Sequence, residues 1–168
     1  AGDSDKIRKW FYIGQILLSD YRESMNWNEW QRLMDILIVY QESGNNGKVD
    51  LMIERAKACY FKLDIPSLRR ELDQCDIPKE CYEQRLLVIG LDLECGKLEE
   101  SLEKLKQLRQ DLICKVDENN ENYYLKSLEA SVLQLLSICQ QAYSLHKEIY
   151  EFEQMGIDEI LEEIDRKK

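Results

Sequence analysis

Apolar residues recur at intervals of three and four along almost the whole chain, and no alternating run of strand length interrupts them. This spacing places apolar side chains on one face of an α-helix, whereas a half-buried strand needs strict alternation. The chain has only two prolines and seven glycines in 168 residues, so few positions break a helix. The pattern therefore predicts an all-α fold.

The spacing and the local breaks divide the chain into helical segments. The segment from Ser43 to Gly47 is predicted to be a loop, Pro66 to start a short helix, and Gly96 to follow the end of another. The predicted helices cover 5–23, 29–43, 48–63, a short segment with Leu68 and Leu72, 79–94, 98–115, a long stretch after residue 121, and 157–166. The long stretch is predicted to be one helix, or two helices with a kink between Ser144 and Lys147.

Successive helices are expected to pair within a single domain over 1–168. The predicted pairs are 5–43, 48–75 and 79–115, and C-terminal helices follow over 121–167. The second and third pairs match at an offset of 33 residues, which aligns Ile53 with Leu86, Ala56 with Ile89, and Leu72 with Leu105. Because a lone hairpin cannot bury its own apolar face, such pairs are expected to stack.

The stretch from Tyr82 to Leu112 resembles a tetratricopeptide repeat. Gly96 stands at the turn between the helices, Ser101 takes the small-residue position of the second helix, and Pro78 closes the preceding unit. Arg85 stands where the family has an aromatic residue. The resemblance implies an α-solenoid of stacked antiparallel helical hairpins over about 48–115, and the alternative is a bundle without repeats.

The long C-terminal helix has two interpretations. It is expected to cap the stacked hairpins, because its apolar spacing holds for fewer than three clean heptads and a lone coiled coil is usually longer. Pairing with a second copy is the alternative, so a homodimer through the N- or C-terminal helices stays open.

The net charge of −10 is unevenly distributed and restricts the class of partner. Residues 1–70 contain 11 Lys or Arg against 10 Asp or Glu, while residues 71–168 contain 12 against 23. An acidic surface repels phosphate backbones and anionic lipids. No run of apolar residues approaches the length of about 18 that a membrane span needs. We therefore expect no nucleic-acid partner and no membrane partner.

The six cysteines favour buried thiols over a disulfide framework. Secreted disulfide domains are usually shorter and richer in cysteine, and Cys59, Cys95 and Cys139 lie on apolar helical stripes, where a free thiol packs as a small apolar group. We therefore expect a cytoplasmic, intracellular domain with reduced cysteines. The chain begins with Ala and Gly rather than Met, and we expect it to be a fragment of a larger regulatory protein.

The sequence contains no pattern typical of an active site, a metal centre or a cofactor site. His146 is the only histidine, so any nucleophile activated by an imidazole would depend on it. It falls on an apolar stripe, which favours a histidine packed in the core or at its edge. No Cys-x-x-Cys motif is present, and the glycine-rich segment lacks the Lys and Ser or Thr of a phosphate-binding loop. The prediction is no enzyme, no metal and no cofactor.

The first candidate binding surface is a line of basic residues on the third helix. Lys48, Arg55 and Lys62 recur every seven residues and so share one helix face. The neighbouring candidates are Arg69, Arg70 and Arg85. In tetratricopeptide proteins the first helices line the concave groove, so the resemblance implies binding of an acidic peptide there. The alternative is a solvated edge balanced by Asp50 and Glu54.

The second candidate surface is rich in aromatic residues. Trp10, Phe11, Trp27 and Trp30 all lie in the first 30 residues. Tryptophan often anchors protein interfaces, but the sequence favours these rings as the core of the first pair. The expected function is a protein- or peptide-binding scaffold. A helical sensor domain for a small peptide or metabolite, relaying to an effector domain, is the alternative, and a helical enzyme is the least favoured.

Overall fold

The computed structural model describes residues 2–40, 45–118 and 122–168, and over these residues the chain forms eight α-helices and no strand. The helices are α1 (Gly2–Glu23), α2 (Trp27–Tyr40), α3 (Asn45–Phe61), α4 (Ile65–Asp73), α5 (Tyr82–Glu94), α6 (Leu98–Glu118), α7 (Tyr123–Gln154) and α8 (Ile157–Lys167). The all-α prediction is confirmed, while the solenoid arrangement and the tetratricopeptide resemblance stay predictions. Within the described ranges, every helix is too short or too polar to cross a lipid bilayer.

Two local predictions are confirmed by the helix ends. Pro66 lies in the first turn of α4, where the Asp64 carboxylate accepts a hydrogen bond of 3.1 Å from the backbone N–H of Ser67. Hydrogen bonds to Ser67 also lower the pKa of Asp64. Gly96 follows α5 with φ of +77°, a backbone conformation that glycine adopts without a steric penalty.

One further local prediction is confirmed and one is corrected. The stretch after residue 121 is one continuous helix of 32 residues, which is the first of the two predicted alternatives. Within the predicted loop from Ser43 to Gly47, residues 43 and 44 lie outside the described residues, but Asn45 and Gly47 belong to α3. A Cβ atom on Gly47 would lie 2.8 Å from the ring of Phe11. This glycine therefore serves the close approach of α3 to α1 rather than a turn.

The chain divides into two compact units, Ala1–Lys97 and Leu98–Lys168. The boundary falls inside the predicted pair 79–115, so that its two helices belong to different units. The single-domain prediction and the remaining pair boundaries stay predictions.

The first unit contains two apolar clusters, and α3 contributes to both. One cluster joins α1, α2 and α3 through Leu18, Trp30, Met34, Leu37, Leu51 and Ala58. The other joins α3, α4 and α5 through Val49, Ile53, Ala56, Leu68, Leu72, Val88, Leu91 and Cys95. Helix α3 therefore presents apolar residues on more than one side, as a helix between two layers must.

A buried ion pair crosses the first cluster. Arg22 of α1 and Glu54 of α3 lie 2.7 Å apart, and their side chains are 7% and 12% exposed. The indole N–H of Trp30 donates a hydrogen bond of 3.2 Å to the same carboxylate oxygen of Glu54. Arg22 also donates to the Ser19 hydroxyl at 2.7 Å and lies over the ring of Phe61. The pair thus links α1, α2 and α3 through one carboxylate.

The second unit is built on the pairing of α6 with α7. Their buried residues follow helical spacing on both sides of the interface: Ser101, Leu102, Leu105, Leu108 and Leu112 on α6, and Leu125, Leu128, Val132, Leu136 and Cys139 on α7. The Tyr143 hydroxyl donates a hydrogen bond of 2.9 Å to Glu99, near the start of α6, and this bond raises the pKa of Tyr143. Helix α8 has no buried residue.

We expect Glu54→Ala to lower the free energy of unfolding by about 3–5 kcal/mol, because Arg22 would stay buried without its counter-charge. Chemical denaturation followed by far-ultraviolet circular dichroism measures the change. The control is Glu29→Ala, which breaks an exposed pair with Arg32 and should cost less than about 1 kcal/mol. Equal costs for the two variants would contradict the importance of the buried pair.

Candidate functional site

An apolar groove runs between α1 and α2 on the surface of the first unit. It encloses about 350 Å³. Every residue that lines it is apolar, aromatic or glycine: Ile7, Trp10, Phe11, Ile13, Gly14, Leu17, Leu33, Ile36, Leu37 and Tyr40. Gly14 allows the close approach of the two helices at its floor, since a Cβ there would lie 2.8 Å from Leu37 Cδ2.

The groove exposes large side chains that a monomer would ordinarily bury. Trp10 is 68% exposed, and Ile36 and Tyr40 are each more than half exposed. The first helix carries two apolar strips. The strip with Phe11 and Leu18 faces the core, because α1 packs against α3 as well as α2, whereas Trp10 and Leu17 stay exposed.

The predicted aromatic surface is divided by the fold. Trp10 and Phe11 line the groove, whereas Trp30 is buried and Trp27 is half-buried beside it, with their ring centroids 6.1 Å apart. The ammonium group of Lys62 lies 4.6 Å from the ring centroid of Trp27 and 5.5 Å from that of Trp30. For Trp30 the alternative of a core residue is confirmed.

The predicted basic line is largely engaged within the chain. Arg55 lies 3.7 Å from Glu71, and Lys62 covers the two tryptophans. Lys48 is exposed near the start of α3.

The three arginines placed near the basic line are also engaged. Arg69 donates to the carbonyl of Cys95, and Arg70 donates to the Ser67 hydroxyl. Arg85 donates to the carbonyl of Lys79 and lies over the ring of Tyr82. These contacts occupy N–H donors that binding of an acidic peptide would need.

The two acidic residues that were expected to balance the basic line interact with residues outside it. Glu54 pairs with Arg22, and Asp50 accepts a hydrogen bond of 3.2 Å from Gln15 of α1. Both line a polar groove of about 240 Å³ between α1, α3 and α5, together with Lys57 and Glu83. Because Asp50 and Glu54 already have intramolecular partners, this groove is poorly suited to binding a small ligand. The apolar groove is better suited to binding a protein.

A polar contact outside these grooves joins α5 to α3. The Tyr60 hydroxyl donates a hydrogen bond of 3.3 Å to Glu94. The charge of Glu94 raises the pKa of Tyr60, since it disfavours the phenolate.

The groups with potential catalytic chemistry are dispersed. His146 is exposed on α7. In the described part of the chain, no three His, Cys, Asp or Glu side chains are grouped so as to hold a metal ion. Cys95 and Cys139 are buried, and burial raises the pKa of both thiols and of the half-buried Cys59. Cys114 is exposed on α6.

Sequence reasoning missed Ile36 and Tyr40 as exposed groove residues, and it missed the two lysines of α1, Lys6 and Lys9, beside the groove. The sequence did contain a signal for the exposed face of α2. The apolar residues of the second predicted helix occupy a stripe wider than one packing surface needs, just as those of the first helix do.

We expect iodoacetamide at pH 8 to modify Cys114 at least about tenfold faster than Cys95 or Cys139. A raised pKa leaves a smaller thiolate fraction at any given pH, and burial also blocks the reagent. Peptide mapping by mass spectrometry gives the rate at each position. Raising the pH or adding urea should bring the buried thiols into reaction, and equal rates in native buffer would contradict the burial of Cys95 and Cys139.

No protein-family model, no curated protein and no solved structure matches the chain. Its function is therefore inferred from its own surfaces. Among those surfaces, the apolar groove between α1 and α2 combines exposed aromatic area, concave shape and a position within one compact unit.

Proposed function

We propose that the chain is a non-catalytic, protein-binding scaffold whose first unit holds an amphipathic helix of a partner protein in the groove between α1 and α2. The observation that carries this proposal is the exposure of Trp10 within a concave surface that has no polar lining residue except the Tyr40 hydroxyl. Exposed apolar concavities of this kind are typical of protein-binding sites.

The dimensions of the groove support a helical ligand. Its α1 wall extends from Ile7 to Leu17, which corresponds to about 15 Å at 1.5 Å per residue. Three turns of a partner helix fit this length. Such a helix would insert apolar side chains spaced three and four residues apart, and Trp10 would be the principal anchor.

The charge beside the groove indicates the character of the partner. Lys6 lies one turn before Trp10 on α1, Lys9 is its chain neighbour, and both are exposed. No described carboxylate forms an ion pair with either lysine. A partner helix with acidic residues flanking its apolar face would therefore gain attraction at this end.

The scaffold proposal is preferred to the sensor alternative on the basis of the two grooves in the first unit. A metabolite site needs a few polar groups that are free to bind the ligand. The polar groove offers carboxylates that Arg22 and Gln15 already engage, whereas the apolar groove offers area without polar specificity.

We expect Trp10→Glu to weaken peptide binding by at least about tenfold, because the substitution places a charge in the apolar contact. The probe is a synthetic helical peptide with leucines at positions i, i+3, i+4 and i+7 and glutamates between them. Fluorescence anisotropy measures its affinity. A peptide of the same composition in scrambled order is the ligand control.

The matched protein control is Tyr12→Glu, since Tyr12 is 65% exposed on the same helix but does not line the groove. This variant should bind as the unmodified chain does. Equal affinity for the ordered and scrambled peptides, or undiminished binding by Trp10→Glu, would overturn the proposed site.

We expect the double substitution Lys6→Glu and Lys9→Glu to weaken binding of the glutamate-flanked peptide and to leave a glutamine-flanked version unchanged. The affinity of the unmodified chain for the glutamate peptide should fall between 50 mM and 500 mM salt, because exposed ion pairs are screened. Loss of binding to both peptides would mean that the lysines support the fold of α1 rather than the charge of the site.

A further inference from the structure

Helix α7 contains a long segment without charge in a chain that is one-third charged. From Ala130 to His146 there are 17 consecutive residues with no Asp, Glu, Lys or Arg, where the average composition would give about five or six. It is the longest such segment in the sequence. An exposed helix ordinarily carries charges on its outer face, and interface centres are depleted of them.

The packing of α6 accounts for only one side of this segment. Helix α6 covers Leu128, Val132, Leu136 and Cys139. Ile138, Leu145 and Ile149 lie on another side of α7 and are about half exposed. The rest of the exposed surface holds uncharged polar residues, including Gln134 and Gln141, together with Leu133 and Tyr143.

Ile138, Leu145 and Ile149 belong to a regular seam along α7. Its positions are Ser131, Leu135, Ile138, Ala142, Leu145 and Ile149. They alternate at intervals of three and four residues, which is the repeat of a coiled-coil interface. The part from Ser131 to Ile149 spans about 27 Å of helix.

We propose that a second copy of this chain covers the seam, so that two α7 helices pair side by side. Each copy carries a net charge of −10, so repulsion between two copies is reduced where both contact surfaces lack negative charge. The segment from Ala130 to His146 meets that requirement. Two copies related by a twofold axis would use the same surface on each side.

The sequence around the seam favours the antiparallel orientation. With the twofold axis near residue 140, Ile138 faces Ala142 of the second copy, and Leu135 faces its Leu145. The large Ile138 thus meets the small Ala142 on each side of the axis, and two leucines meet one turn farther out. In the positions that flank the seam, Gln141 lies opposite Gln141 of the second copy, and Gln134 lies opposite Glu148 of the second copy. A parallel pairing would instead place Glu148 beside Glu153, two like charges.

The test is the molar mass of the full chain, measured by sedimentation equilibrium over a range of concentrations. We expect a dimer, and we expect Ile138→Glu with Leu145→Glu to raise the dimer dissociation constant at least about a hundredfold, because the new carboxylates would be desolvated at the contact. Both side chains are exposed, so circular dichroism should show unchanged helix content. The matched control is Leu133→Glu, at an exposed apolar position of α7 away from the seam, which should remain dimeric.

Cross-linking tests the orientation. With Cys114 replaced by Ser, chains carrying Gln134→Cys are mixed with chains carrying Glu148→Cys and treated with a short thiol-specific cross-linker. Antiparallel pairing predicts cross-linked dimers that contain one chain of each kind. A monomer at every concentration, a dimer unaffected by Ile138→Glu with Leu145→Glu, or a dimer lost through Trp10→Glu would overturn the proposal. The first two outcomes leave the proposed peptide binding by the groove of the first unit unaffected, whereas a dimer lost through Trp10→Glu would place the groove itself in the dimer contact.

Discussion

The buried ion pair between Arg22 and Glu54 fixes the rotation of the first helices. Two charges leave water together only where further polar contacts compensate the loss of hydration, and here Ser19 and Trp30 supply them. Helix α1 must therefore turn Arg22 towards α3. This rotation carries Leu18, one turn earlier, into the core. The same rotation directs Trp10 away from the core. The groove is therefore a consequence of the position of the ion pair.

Most of the secondary structure could be predicted from the sequence, because helical periodicity is a local property. The apolar spacing, Pro66 and Gly96 were sufficient to locate helices whose ends differ from the predicted ends by a few residues. The segment around Gly47 failed for a reason outside the local pattern. Its glycine accommodates the ring of Phe11, which is 36 positions earlier in the chain.

The candidate site was only partly predictable, because a helix with two apolar strips does not reveal which strip faces the core. Trp10 and Phe11 were identified as candidates, but their separation from Trp27 and Trp30 depends on how α1, α2 and α3 pack. The basic line was visible in the spacing of Lys48, Arg55 and Lys62. Its engagement with Glu71 and the tryptophans required the tertiary structure. The division of the chain at Lys97 had no sequence signal that we recognised.

Helix α8 differs from the other helices in the source of its stability. With no buried residue, its 11 residues depend on local terms: acidic Asp158 and Glu159 at the positive end of the helix dipole, and Arg166 near the negative end. Glu163 adds an ion pair to Arg166 within the last turns. An isolated helix of this length is marginal in water. Helix α8 should therefore open before either apolar core does, and its backbone becomes accessible to a protease in that open state.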